Sequence, residues 1–370
     1  LRQWNVHSYP NNGRVALFAM YKTDAIMQHK LHLHASGWIR RKEHNQMKKL
    51  FALCLLPLCL LLCACEADAP QQEEAQAELL IGFSQLGSES SWRIGNTLSI
   101  QKAAQEHGIN LMYDNALQKQ ENQIAQLRSF IAYQVDLIVF SPIVEDGWDN
   151  VLTEARHAGI PVILMDRFIN TADDSLYTAY IGADFYREGV RAADYLLEKA
   201  GQMGKETINI VEISGTEDAT PTLHRYQGFH DKVDRDPRFH TLETISGDFL
   251  RSKGKECMEY LLDTYGDEID VLYSHNDGMT LGAIDVIQSY GLVPGKDIII
   301  ITVDGEQAAI DLLKEGKINC VVECTPLLGD LVMNMAEKLK AGESIPRTTH
   351  PQEGVFTEFD DLSTLPPRGY

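Results

Sequence analysis

The chain has 370 residues, of which 44% are hydrophobic and 23% charged, and it carries a formal net charge of −20. Residues up to Ala64 hold nine of the 33 Lys/Arg and two of the 53 Asp/Glu, which leaves 24 basic against 51 acidic residues from Cys65 on. A field of that sign repels phosphate backbones and argues against nucleic-acid binding.

Residues 1–46 open on Leu1 and read as an upstream leader outside the mature protein, so its histidines, including His29, His32 and His34, are not taken as a metal site. From Met47, Lys48 and Lys49 lead into the apolar run LFALCLLPLCLLLCAC. A basic start, an apolar run and a small residue before a cysteine read as an export signal over 47–64. Leu62-Cys63-Ala64-Cys65 resembles the bacterial lipoprotein signal, which makes Cys65 the expected lipidation site. The run from Leu50 to Leu62 falls short of the roughly 20 apolar residues that a spanning helix needs. Residues 65–77 are acidic and almost devoid of apolar side chains, as suits a flexible tether. The expected location is the cell envelope, in the periplasm or on the outer face of the cytoplasmic membrane, held by lipid at Cys65.

From Leu79 short apolar runs alternate with amphipathic segments. LLIGFS, NLMY, DLIVFS, PVILMD, INIVEI, VLYS and IIIITVD place Val, Ile and Leu on consecutive positions, as strands buried on both faces do. Between them, Ile124, Leu127 and Ile131 fall on one face of a helix predicted over Gln118–Tyr133. This alternation predicts an α/β fold with parallel sheets flanked by helices, and about 300 exported residues call for two lobes. Cys320 and Cys324 fall on a predicted strand, where four residues span about 13 Å, too far for a disulfide. Both are expected to be buried and unpaired.

Several predicted strands end in a polar residue followed by turn chemistry, notably Ser84-Gln85-Leu86-Gly87-Ser88, Ser141-Pro142, Asp166-Arg167, Ser274-His275-Asn276-Asp277-Gly278 and Asp304-Gly305. Ligands of open parallel sheets bind beyond the carboxyl ends of the strands. No nucleophile elbow, phosphate loop, dinucleotide fingerprint or metal-spaced histidine pair follows Cys65. Recognition suits these tips better than catalysis, and no cofactor or metal is expected.

GFSQLGSESSWR (82–93), QKQENQIAQLRSFIAYQVD (118–136), Asp166-Arg167, SGDFLRSKGKE (246–256), SHNDGMTLGA (274–283), PGKDI (294–298), VDG (303–305) and VECTP (322–326) resemble the type I periplasmic sugar-binding proteins of ABC importers. The likeness runs from Leu79 to Tyr370 and points to the galactofuranose binders within that family. It implies two α/β lobes joined by a three-crossover hinge, with a first lobe of residues 78–182 plus 325–346 and a second of 183–324 plus 347–370. It implies a monomer that captures a monosaccharide, favoured as galactofuranose, and passes it to a permease with its ATPase.

A carboxylate beside a guanidinium satisfies two neighbouring hydroxyls by charge-assisted bonds, and Asp166 with Arg167 supplies that pair. The resemblance brings Ser88, Glu89 and Arg93 from the loop after the first strand, with Trp92 as an apolar face for ring carbons. It adds Asn276, Asp304 and Glu323 from the second lobe and the hinge. GTEDATPTLHRYQGF (215–229) departs from the family pattern, and Thr216, Asp218, Thr220 and Arg225 are its candidates. Alternatives accompany these readings: Asp166 as a helix cap, Trp92 and Trp148 as packed aromatics, and Asp277 as the N-cap of the helix starting near Gly278. A sensor kinase or chemoreceptor as partner, or a sugar-modifying enzyme, are the rival functions. A transcription regulator would need a DNA-binding helix pair where the export signal stands.

Overall fold

The computed structural model describes residues 78–370, so the leader, the export signal, Cys65 and the tether lie outside the described residues. Strands β1 (Leu80–Gln85), β2 (Asn110–Asn115), β3 (Leu137–Phe140), β4 (Val162–Met165), β5 (Ala179–Ile181) and β11 (Thr348–Thr349) form a parallel sheet in the order β11-β5-β4-β3-β1-β2. Strands β6 (Ile208–Ser214), β7 (Phe239–Ser246), β8 (Val271–Ser274), β9 (Ile299–Asp304), β10 (Cys320–Glu323) and β12 (Val355–Thr357) form a second sheet in the order β12-β10-β9-β8-β6-β7. All of its neighbours are parallel except β12, which runs antiparallel to β10. Every residue of β3, β4, β8 and β9 is buried, which is why these strands read as unbroken apolar runs.

Helices cover both faces of each sheet. In the first lobe α1 (Ser91–Glu106) shares one core with β1, β3, β4 and β5, while α2 (Gln120–Tyr133) and α3 (Asp149–His157) pack on the opposite face. In the second, α4 (Phe185–Met203) and α5 (Thr220–Val233) cover one face, and α6 (Arg251–Tyr265), α7 (Asp277–Ser289) and α8 (Gln307–Lys314) the other. The last helix, α9 (Gly329–Lys340), returns to the first lobe beside α1. Cys257, Cys320 and Cys324 are buried free thiols.

The chain crosses between sheets three times: from β5 to α4 at 182–184, from β10 to α9 at 324–328, and from β11 to β12 at 350–354. The third crossing lies beyond the boundary expected at 346, because Thr348 and Thr349 pair with Tyr180 and Ile181 in the first sheet. Two threonines offer no apolar run by which to recognise such a strand.

Candidate functional site

The loop after β1 opens α1, where the Ser90 hydroxyl accepts from the Arg93 backbone N–H at 3.1 Å and caps the helix. This cap turns Trp92 and Arg93 inward, and both are buried. Arg93 Nε donates to Glu89 at 3.0 Å and Nη1 to Asp166 Oδ2 at 2.7 Å. Burial alone would lower the Arg93 guanidinium, but Asp166 and Glu89 more than offset it and hold it above its ordinary value. Asp166 follows β4 with φ of +65°, and its Oδ2 also accepts from Ser141 at 3.1 Å. No hydrogen bond among the described residues engages its Oδ1, and Glu89 Oε2 is buried without a partner. Arg167 donates to the Ile143 carbonyl at 2.7 Å and leaves Nε unpartnered. Burial, with the neighbouring Arg93 charge, lowers it to about 10.

The second lobe contributes from its own strand tips. Asp304 ends β9 at φ of +127°, and its buried carboxylate has Arg225 Nη2 3.8 Å away. Burial first, and then the like charges of Asp277 and Glu306, push its carboxyl well above the usual range against the pull of Arg225. Arg225 Nε donates to Glu188 at 2.7 Å. That pair forms because α4 and α5 touch along two glycines: a Cβ on Gly189 would lie 2.2 Å from the Arg225 carbonyl, and one on Gly228 would lie 2.0 Å from that of Tyr186.

Arg93, Asp166, Arg167, Arg225 and Asp304 line one cavity between the carboxyl ends of the two sheets. Eight predicted residues line it: Glu89, Trp92, Arg93, Asp166, Arg167, Arg225, Asn276 and Asp304. Ser90, Phe185, Pro221, Phe249 and Cys324 join them without having been predicted. Phe249 stands at φ of +61°, its ring over the space left by Gly215 and 5.3 Å from the Arg167 guanidinium. Two successive left-handed residues, Asp248 and Phe249, give no periodic signal.

Five predicted residues do not line the cavity. Ser88 is exposed. The Glu323 carboxylate is taken up by Arg368 and by the Gly354 backbone N–H, the latter at 2.7 Å. The Thr216 hydroxyl turns to the Asp248 carbonyl at 3.4 Å, and Asp218 receives the Glu145 N–H on its backbone oxygen at 3.2 Å. Thr220 also works between the lobes, its hydroxyl accepting from Phe168 N at 3.0 Å and donating to Phe168 O at 3.2 Å. Trp92 N adds a contact to Glu306 at 3.0 Å across the cleft, and its ring N–H donates to the Cys324 carbonyl at 2.6 Å.

Asn276, not Asp277, caps α7 by accepting from Met279 N at 3.0 Å. Asp277 instead accepts from Thr302, Gly305 N and Glu306 N at 2.7 to 2.8 Å and holds the turn that carries Asp304. Trp148 is core, packed 5.1 Å from Phe140. Glu188, Cys324 and Glu353 form the metal-competent group among the described residues, but Glu188 is committed to Arg225.

Residues 81–344 match the periplasmic binding protein domain family. The chain is 39% identical over 289 residues to the galactofuranose-binding protein YtfQ of Escherichia coli, covering 78% of this chain and 90% of that one. A Mycobacterium smegmatis protein solved in complex with β-D-fucofuranose superposes with a TM-score of 0.76 at 42% identity, over 78% of this chain and 95% of that one. The periplasmic component of an arabinose ABC transporter from Shewanella, bound to L-arabinofuranose, gives 0.73 at 38%, over 76% and 92%. Two largely parallel sheets joined by three crossings, a polar cleft at their strand tips and these matches lead to one conclusion: the chain belongs to the periplasmic binding protein family.

Proposed function

We propose that this protein is the sugar-capturing component of an ABC importer and that its ligand is a monosaccharide in furanose form. The observation that carries the reading is the uncommitted hydrogen-bonding capacity of the cavity. Asp304 accepts no side-chain hydrogen bond among the described residues, Asp166 Oδ1 and Glu89 Oε2 are unfilled, and Arg167 keeps a free Nε–H. Buried charged groups of this kind are costly until a ligand completes them. A ring of hydroxyls supplies both donors and acceptors, and Trp92, Phe185 and Phe249 offer apolar faces for ring carbons. The relatives named above with galactofuranose, fucofuranose and arabinofuranose support the furanose form.

Binding works by closure. The sugar touches groups of both lobes, so it favours the closed form and shifts the population toward it. The closed monomer, held by lipid at Cys65, docks on a permease whose ATPase drives transport, and the sugar leaves unaltered. Calorimetric titration of the chain from residue 66 on, with galactose and arabinose solutions that contain the furanose as a minor tautomer, tests this. One site per chain is expected, lost in Arg93→Ala and Asp166→Ala variants that still fold. Full binding by both variants would sink the site, and a transformed sugar recovered after incubation would sink the transport role.

A further inference from the structure

Behind the cavity wall, three side chains from the hinge region converge. Glu188 follows the first crossing, Cys324 lies in the second and Glu353 in the third, and one ligand atom of each lies within 4.8 Å of the others. Glu188 is fully buried; its Oε2 accepts from Arg225, and its Oε1 has no hydrogen-bond partner. Glu353 Oε1 accepts from Thr325 N at 2.9 Å, so that carboxyl is fixed by the second crossing while sitting on the third. Two ionised carboxylates this close in a dry interior repel each other, and a single proton between them removes one charge and supplies one donor.

We propose that Glu353 is a positioning residue for the sugar site: its carboxyl, kept protonated, donates to the orphan oxygen of Glu188 and thereby fixes Arg225 beneath Asp304. The proton joins the chain Glu353, Glu188, Arg225, Asp304, which runs from the third crossing to the cavity. The surrounding groups are consistent with this state. Glu188 faces the Arg225 guanidinium from α5, the Cys324 thiol from the second crossing and, farther off, Asp166 from the first lobe. Glu353 faces Glu188, Arg225 and Glu323, the last already bound by Arg368. Tyr180, close to both carboxyls, is a neutral phenol whose hydroxyl donates to the Asp166 carbonyl at 2.7 Å. Arg225 is therefore the cation nearest the pair, and it is already shared between Glu188 and Asp304. Burial and the Glu188 charge push the Glu353 carboxyl up to about 9.

The affinity arm of the test rests on the sugar-binding reading, and the stability arm does not. Glu353→Gln keeps the acceptor for Thr325 N and provides a donor that no base removes. As pH rises from about 6 to about 10, sugar affinity is expected to fall about tenfold more in the wild type than in E353Q, because both share the titration of Arg167 and only the wild type loses the Glu353 proton and its charged-group hydrogen bond. Glu353→Ala, which lacks the donor, is expected to bind about tenfold more weakly already at about pH 6. Without ligand, the melting temperature of E353Q minus that of the wild type should rise over the same pH range. Parallel melting curves, or an E353Q affinity that tracks the wild type with pH, would overturn the proposal. A wild type that binds none of the sugars would defeat the sugar reading, and the melting curves would then decide the proton.

Discussion

Replacing Thr220 by Val separates closure from sugar contact. The two side chains have nearly the same shape, but valine loses the bond accepted from Phe168 N and the one donated to Phe168 O. Each such bond contributes about 0.5–1.5 kcal/mol net, so their loss removes about 2 kcal/mol from the closed form. In the open form the Phe168 groups meet water and are indifferent to the substitution. The closed-to-open ratio therefore falls roughly 30-fold, and affinity falls by up to that factor. Thr220 lies outside the cavity lining, so the factor should be the same for every sugar that binds. Calorimetry with galactose and arabinose measures it, and thermal denaturation checks that the lobes keep their stability. A loss confined to one sugar would show that Thr220 contacts ligand and would refute the argument, as would wild-type affinity for both.

Arg93→Met should cost about 3–5 kcal/mol of stability as well as binding, because it leaves Glu89 and Asp166 as buried carboxylates without their cation; denaturant unfolding reads the first and titration the second. Gly228→Ala places a methyl 2.0 Å from the Tyr186 carbonyl; overpacking of this kind costs about 1–3 kcal/mol, and the displaced α5 carries Arg225 with it, so affinity should drop in the same variant. Burial alone would raise Glu212, but hydrogen bonds from His230 at 2.9 Å and His275 at 2.6 Å bring it down to about 2. Its folded value lies below its ordinary value of 4.5, so it contributes stability above that pH and loses it as pH falls toward 2. The contribution is about 3 kcal/mol, and Glu212→Gln should flatten the acid limb of the unfolding profile; an unchanged acid limb would refute the assignment.

The parts of this architecture that depend on local pattern could be read from the chain. β3, β4, β8 and β9 are apolar on consecutive residues because both faces are covered, and Asp166, Arg167, Asn276 and Asp304 at the tips of β4, β8 and β9 became part of the cavity. What escaped depended on distant partners. Glu323 ends an apolar strand just as Asp304 does, but Arg368, 45 residues later, neutralises it. Phe249 reaches the cavity only because Gly215 leaves room and two left-handed residues turn the chain. Thr220 has the chemistry of a sugar contact, and its assignment between the lobes required knowing that Phe168 lies opposite.

The three crossings also dictate an order of assembly. The first lobe lacks the helix that covers α1 until residues 329–340 have been made, and its edge strand comes only at 348–349. The second sheet lacks its antiparallel edge until 355–357. Neither half can finish while the chain is still emerging, because the last tenth of the sequence closes both. Such long-range pairing slows folding, so an early stop codon would yield two unfinished lobes, not one working half, and a chain threaded across a membrane would stay unfolded until its end arrives.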